Sequence, residues 1–302
     1  MCNSPIRNSQ GDMTLNFKNK TLNLSTPAVM GILNVTPDSF FDGGKYKDES
    51  SMLDQVEKML SEGADIIDIG ACSTRPGAAE VSEQEELKRL IPAIKLVRKK
   101  FQDTIISADT FRSKVAEEAV NAGAEMINDI SGGNLIANHG LRHPKSKADE
   151  SPEMFVTMAK LKVPYVLMHI QGTPQTMQQD PQYKDVVKEV KDYFAEKISH
   201  LKKLEVSQVI LDPGFGFGKN IDHNYLLLKN LSEFKKFGLP ILAGISRKSI
   251  INKVLGTKPE DALNGTTAAN MIALTNGANI LRVHDVKEAR EAVKIFNFVK
   301  KP

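Results

Sequence analysis

Residues Ser51-Met-Leu-Asp-Gln-Val-Glu-Lys-Met-Leu-Ser-Glu-Gly-Ala-Asp-Ile-Ile-Asp-Ile-Gly70 hold one complete unit of this protein's architecture. Met52, Val56, Met59 and Leu60 recur at helical spacing between Ser51 and Ser61. Gly63 follows, where the end of a helix favours a residue that can turn left-handed. A short apolar run then ends at Gly70 and reads as a strand.

The same rhythm extends in both directions. Apolar runs end near Asn34, Gly70, Asp109, Asp129, His169, Asp212, Ser246 and Asp285. Amphipathic stretches lie between most of them: Glu83–Lys100, Ser113–Asn121, Tyr183–Leu204 and Asp261–Asn276, with Val286–Val299 after the last. Gly123 and Gly277 repeat the position of Gly63. Eight strand-helix repeats imply parallel strands, since each return must cross through a helix. Asn34 to Asp285 spans about 250 residues, the usual length of a closed (β/α)8 TIM barrel. A doubly wound open sheet is the competing arrangement on pattern alone.

Leu15 and Phe17, then Leu22 and Leu24, alternate with polar residues around Lys18-Asn19-Lys20, which predicts a short N-terminal β-hairpin. Residues 1–12 read as a flexible arm, and 13–302 as one barrel domain. The polar stretch Leu135–Glu150 reads as a long surface loop.

Composition narrows the function. The 302 residues are 41% hydrophobic and 25% charged, and 40 Lys+Arg against 37 Asp+Glu leave a net charge of +3. That near balance gives no electrostatic reason to expect nucleic acid or a membrane surface as partner. No apolar run approaches the ~20 residues of a membrane span. Cys2 and Cys72 are the two cysteines, too few for a disulfide framework or a four-thiolate zinc site. A soluble protein of the cytoplasm is expected.

In such a barrel the active site lies at the C-terminal ends of the strands. Those ends carry Asn34, Asp68, Asp109, Asn128, Asp129, His169, Gln171, Asp212, Ser246, Arg247, Lys248, Arg282, His284 and Asp285. Asn, Asp and Ser are also ordinary turn formers, so any one position is weak; eight ends converging on one rim are not. Asn34-Val-Thr-Pro-Asp-Ser-Phe-Phe-Asp-Gly-Gly44 is long enough for a mobile active-site loop. Ser73-Thr-Arg-Pro-Gly77 presents a hydroxyl and a guanidinium on a stiffened turn. Ile245-Ser-Arg-Lys-Ser249 enters a helix, which suits a carboxylate or phosphate, or plain Ser capping. Gly214-Phe-Gly-Phe-Gly218-Lys219 matches neither the phosphate-loop nor the dinucleotide spacing and reads as backbone brought close to a flat ligand. His139 and His143 are read as surface residues.

Asp109, Asn128, Asp212 and Lys248 together suit a flat heterocycle bearing adjacent N–H donors and a carbonyl. Arg282, His284 and Asn34 fall on neighbouring strands and could form an anion site. A pyrophosphate with Mg²⁺ fits it, because Asn34 offers a hard oxygen ligand.

Met30-Gly-Ile-Leu-Asn-Val-Thr-Pro-Asp-Ser-Phe40, Ser73-Thr-Arg-Pro-Gly77, Ile127-Asn-Asp-Ile-Ser131, Leu167-Met-His169, Leu211-Asp-Pro-Gly-Phe-Gly-Phe-Gly-Lys219, Gly244-Ile-Ser-Arg-Lys-Ser249 and Arg282-Val-His284 resemble the ordered signatures of the dihydropteroate synthase family of pterin-binding enzymes. The resemblance runs from about Thr14 to the C-terminal helix. It implies a transferase of folate biosynthesis that joins 6-hydroxymethyl-7,8-dihydropterin pyrophosphate to p-aminobenzoate, giving 7,8-dihydropteroate and pyrophosphate. It assigns the pterin to Asp109, Asn128, Met168, Asp212, Gly244 and Lys248, and the pyrophosphate to Asn34, Thr74, Arg282 and His284, with Mg²⁺ on Asn34. Phe40, Arg75, Pro76 and Ser249 fall at p-aminobenzoate positions. Asp38, Thr74 and Arg75, with Asp109, Asp212 and Lys248, make up the catalytic set. It further implies inhibition by sulfonamides and a homodimer. One departure is Cys72, where many members carry Glu.

Overall fold

The structure, a computed structural model, describes residues 11–35, 45–72, 81–133, 151–174 and 176–300. Eight strands form the barrel: β3 (Ala28–Asn34), β4 (Ile66–Gly70), β5 (Ile105–Asp109), β6 (Met126–Asp129), β7 (Tyr165–Met168), β8 (Val209–Asp212), β9 (Leu242–Ala243) and β10 (Ile280–Val283). They pair in parallel in the order β8-β7-β6-β5-β4-β3-β10-β9. A parallel bridge between Leu211 and Ile241 brings the two ends of that sheet together, so the sheet closes and the doubly wound alternative is excluded.

The helices are α1 (Lys45–Ser61), α2 (Glu83–Lys100), α3 (Ser113–Ala122), α4 (Glu153–Leu161), α5 (Val186–Lys203), α6 (Ile221–Lys229), α7 (Ser249–Leu255), α8 (Leu263–Thr275) and α9 (Val286–Val299). Two of these, α2 and α9, have the bounds expected from the sequence. Helix α1 starts six residues ahead of Ser51, where polar residues carry no periodic signal. Helix α2 is capped by Ser82, whose side chain accepts from the Glu85 N–H, and it carries acidic residues in its first turn and basic ones in its last. Both placements favour the helix dipole. Gly63, Gly123 and Gly277 have φ near +100° to +117°, as their positions demanded.

A two-stranded hairpin, β1 (Thr14–Asn16) and β2 (Thr21–Asn23), precedes the barrel. Leu15 and Leu24 are buried in the common core. Asn16 exchanges two hydrogen bonds with Gln208, just before β8, and Lys20 donates to the Asp103 carbonyl just before β5. The hairpin therefore sits at the N-terminal end of the barrel, leaving the other end as the mouth. No helix of the described residues is long and apolar enough to cross a membrane. Leu135–Glu150, with His139 and His143, lies outside the described residues, as do residues 1–10 of the arm.

Candidate active site

Strand alternation sorts the polar strand ends into two groups, because successive side chains point to opposite faces. Asp68, Asp109, Asn128 and Arg282 are joined to one another. Arg282 donates through Nε to Asp68 Oδ2 at 2.6 Å and through Nη2 to Asp109 Oδ2 at 2.7 Å. Asn128 donates through Nδ2 to the same Asp68 oxygen at 3.0 Å. Asp109 and Asn128 are also register partners between β5 and β6. Asp129, one residue on, takes no part: it accepts from the Tyr165 hydroxyl at 2.6 Å and from the Ser131 and Gly133 backbone N–H groups, a packing role behind the sheet.

Asp212 ends β8 beside Met168 at the end of β7. Gly244 lies close by, since a Cβ there would stand 3.9 Å from both Asp212 Oδ2 and Arg282 Cβ. Lys248 donates to the Phe215 carbonyl and stands over the Phe217 ring. The mouth thus holds two cations, three carboxylates and an amide.

Burial and these neighbours set the protonation balance. Burial pushes the Asp109 carboxyl up to about 7; Arg282 opposes that, while Asp68, Glu86 and Asp129 add to it. Asp212 is likewise raised by burial, against the pull of Lys248, the Gly214 N–H and Arg282. Burial lowers the Lys248 ammonium to about 8, with Asp212 as its main support. For Arg282 burial works against the charge, but Asp68 and Asp109 outweigh it and hold the guanidinium above its ordinary value.

The residues expected to form an anion site have the following partners. Arg282 is drawn to the carboxylates, whereas His284 pairs through Nδ1 with Ser246 Oγ at 3.1 Å. Asn34 ends β3 alongside Gly70 and is half-buried. Arg247 is engaged within the protein: it binds both oxygens of Asp285 and the Pro259 and Glu260 carbonyls. Ser249 opens α7 and lines a cavity of about 370 Å³ with Gln178, Gly216, Asn220 and Lys253. Asp38, Phe40, Thr74, Arg75 and Pro76 lie outside the described residues.

Two glycines of the Gly-rich run are required by the protein's own packing. Gly214 and Gly218 have φ of +71° and +63°, and an added Cβ would fall 1.9 Å from the His169 carbonyl oxygen and 2.3 Å from that of Gln171. Lys219 is buried beneath the loop and donates to the Gly214 and Phe217 carbonyls, with His169 Nδ1 at 3.0 Å. Sequence reasoning noted Asp68 on the rim without placing it in the site. The available signal was a carboxylate in the middle of an apolar strand, which must find a partner when buried.

Among the described residues no group of three or more His, Cys, Asp or Glu is gathered to hold a metal. Asn34 itself offers one hard amide oxygen. Such a set fits Mg²⁺ only as an ion held mostly by phosphate oxygens and water, which is its usual habit.

Comparison with known proteins follows the same lines. A family model described as pterin binding enzyme matches residues 30–284. The chain is 44% identical over 285 residues to the dihydropteroate synthase of Escherichia coli K12, covering 94% of this chain and 95% of that one. Among solved structures, Yersinia pestis dihydropteroate synthase with a sulfonamide drug complex superposes with a TM-score of 0.84 at 43% identity, over 95% of this chain and 99% of the other. The Xanthomonas albilineans enzyme with 4-aminobenzoic acid gives 0.84 at 38% identity, over 96% and 100%.

Proposed function

The chain belongs to the pterin-binding enzyme family, among the dihydropteroate synthases, and from that premise we propose how its own residues perform the reaction. It condenses 6-hydroxymethyl-7,8-dihydropterin pyrophosphate with p-aminobenzoate, releasing 7,8-dihydropteroate and pyrophosphate. The observation that carries the residue assignment is the joined set Asp109–Arg282–Asp68–Asn128 facing Asp212 and Lys248 across one barrel mouth.

The pterin enters with its aminopyrimidine edge on the carboxylates of Asp109 and Asp212, each able to accept two N–H groups. Asn128 supplies a further contact, Lys248 donates to the ring carbonyl or nitrogen, and Met168 and Gly244 flank the ring. Cleavage of the C–O bond to pyrophosphate leaves positive charge spread over the exocyclic carbon and the electron-rich ring. Two buried carboxylates stabilise that charge without having to reorient. Arg282 and His284, with Thr74, receive the leaving pyrophosphate. The arylamine nitrogen is neutral near pH 7, so its lone pair attacks without a strong base. Its carboxylate is taken by Ser249, with Phe40, Arg75 and Pro76 beside the ring; Asp38, Thr74 and Arg75 close over the reacting carbon and exclude water.

Asn34 would hold Mg²⁺ through its amide oxygen beside the pyrophosphate, and the bound ion would offset charge on the leaving group. Sulfonamides compete for the p-aminobenzoate position. A homodimer is supported by exposed apolar side chains on α7, α8 and α9, namely Val254, Leu255, Ile272, Ile295, Phe298 and Val299. A cytoplasmic site of action agrees with a half-buried Cys72 that forms no disulfide.

Pyrophosphate release from dihydropterin pyrophosphate, followed with and without p-aminobenzoate, tests the reading. Release that depends on the arylamine and yields dihydropteroate is expected. No turnover by folded enzyme, or release indifferent to the arylamine, overturns it.

A further inference from the structure

We propose that Asp68 is a positioning residue for the pterin pyrophosphate substrate, orienting both Asn128 and Arg282 through one carboxylate oxygen. The inference rests on the reading of the site just given. Asp68 lies in the middle of β4, one layer below the strand ends, and is fully buried. Its Oδ2 accepts from Arg282 Nε at 2.6 Å and from Asn128 Nδ2 at 3.0 Å, so one buried atom ties β10, β4 and β6 together.

The chemistry of the two partners makes that tie directional. Asp68 Oδ2 faces two donors, the Arg282 Nε–H and the Asn128 NH₂, and serves as acceptor to both. Asn128 must therefore turn its NH₂ toward Asp68, which leaves its carbonyl oxygen as the group offered elsewhere. An acceptor at that position reads an N–H of the substrate; the flipped amide would present a second donor and repel it. Asp68 thus decides which way Asn128 reads its ligand.

Arg282 is governed in the same way. Its Nε and Nη2 are occupied by Asp68 and Asp109, which fixes the guanidinium plane between two carboxylates. The remaining N–H donors of the fork then have one orientation rather than many, which is the state in which a leaving anion is captured at least entropic cost. Asp68 touches neither reacting atom in this scheme. Its other oxygen, Oδ1, is buried and has no hydrogen-bond partner among the described residues, so the carboxylate is committed to the site rather than to the barrel wall.

The test is Asp68→Asn in the full-length enzyme, with wild-type turnover measured first. Wild-type protein that makes no dihydropteroate defeats the functional reading, not this inference. In the variant, KM for dihydropterin pyrophosphate should rise at least tenfold while KM for p-aminobenzoate stays within twofold. The loss in kcat/KM should also shrink when Asp68→Asn is placed in an Arg282→Ala or Asn128→Ala background, since a residue acting through others is coupled to them. Unchanged KM, or losses that multiply in both double variants, would sink the idea. A barrel-stabilising role alone would lower the folded fraction and move neither KM.

Should Asp68→Asn fail to fold, the wild-type protein still decides the matter by NMR. The Arg282 Nε–H should exchange slowly with solvent and show a pH response shared with the Asn128 side-chain amide. Rapid exchange of that proton would mean the buried tie does not persist in solution, and the proposal would fall.

Discussion

Asp109 and Lys248 bound the pH range over which the mouth keeps its working charges. Burial raises the Asp109 carboxyl to about 7, so below that pH it takes up a proton and ceases to accept from the pterin N–H groups. Burial lowers Lys248 to about 8, so above that pH the ammonium that faces Asp212 is lost. A plot of kcat/KM for dihydropterin pyrophosphate against pH should be a narrow bell with its limbs near those two values. Asp109→Asn should abolish the acid limb along with most of the activity. Arg282→Ala has a wider effect than loss of a pyrophosphate contact, because it strands Asp68 and Asp109 as unpaired buried carboxylates. Urea unfolding should show a loss of about 3–5 kcal/mol, accompanied by weaker binding of the pterin substrate. Lys248→Ala should raise the KM for that substrate at least tenfold, equivalent to about 1.4 kcal/mol, read from initial rates.

At the scale of elements, the segment after β8 shows how a loop can be held by one charge. Lys219 is buried beneath Gly214–Gly218 and gathers two carbonyls and the His169 ring, and burial brings its ammonium down to about 7. Lys219→Met removes those donors and should cost about 1–3 kcal/mol for each carbonyl left unsatisfied, seen as a drop in Tm. Gly214→Ala meets both a left-handed φ and a carbonyl oxygen at 1.9 Å, so thermal melts should show a loss of more than about 2 kcal/mol. On the other side of the mouth, Arg112 pairs with Glu86 inside the core and donates to the Val81 carbonyl at 2.6 Å, with Cys72 Sγ at 3.8 Å. Arg112 thereby links Cys72 to Val81. Burial, aided by Glu86, pushes the Cys72 thiol up to about 12, so it stands there as a packed, unreactive group rather than a replacement acid.

At the scale of the whole molecule, the hairpin seals one end of the barrel and the charges collect at the other. The small net charge of +3 conceals a rim on which cations and carboxylates are gathered together. The apolar side chains exposed along α7, α8 and α9 belong to the outer surface, away from that chemistry. Phe298 is 73% exposed, an unusual state for so large an apolar group. Sedimentation should show a dimer for the parent chain and a monomer for Phe298→Glu, with the per-chain turnover nearly unchanged.

The repeat of helix, glycine and short apolar run was legible from sequence because periodicity and helix ends are local: side chains a few residues apart set them. The order of polar strand ends was legible for the same reason, and so was the side of the barrel on which they gather. The grouping of Asp109, Asn128, Asp212 and Lys248 was legible too, but the link that ties Arg282 and Asn128 to Asp68 was not. Asn128 and Asp129 are adjacent and chemically similar, yet one joins the mouth and the other packs against Tyr165. Arg247 and Arg282 are both basic residues at strand ends, yet one grips Asp285 and the other Asp68 and Asp109. The Arg282–Asp68 contact spans 214 residues of chain. It exists only once the eight strands have closed, because strand register and closure decide which face each side chain takes, and no local pattern carries that information.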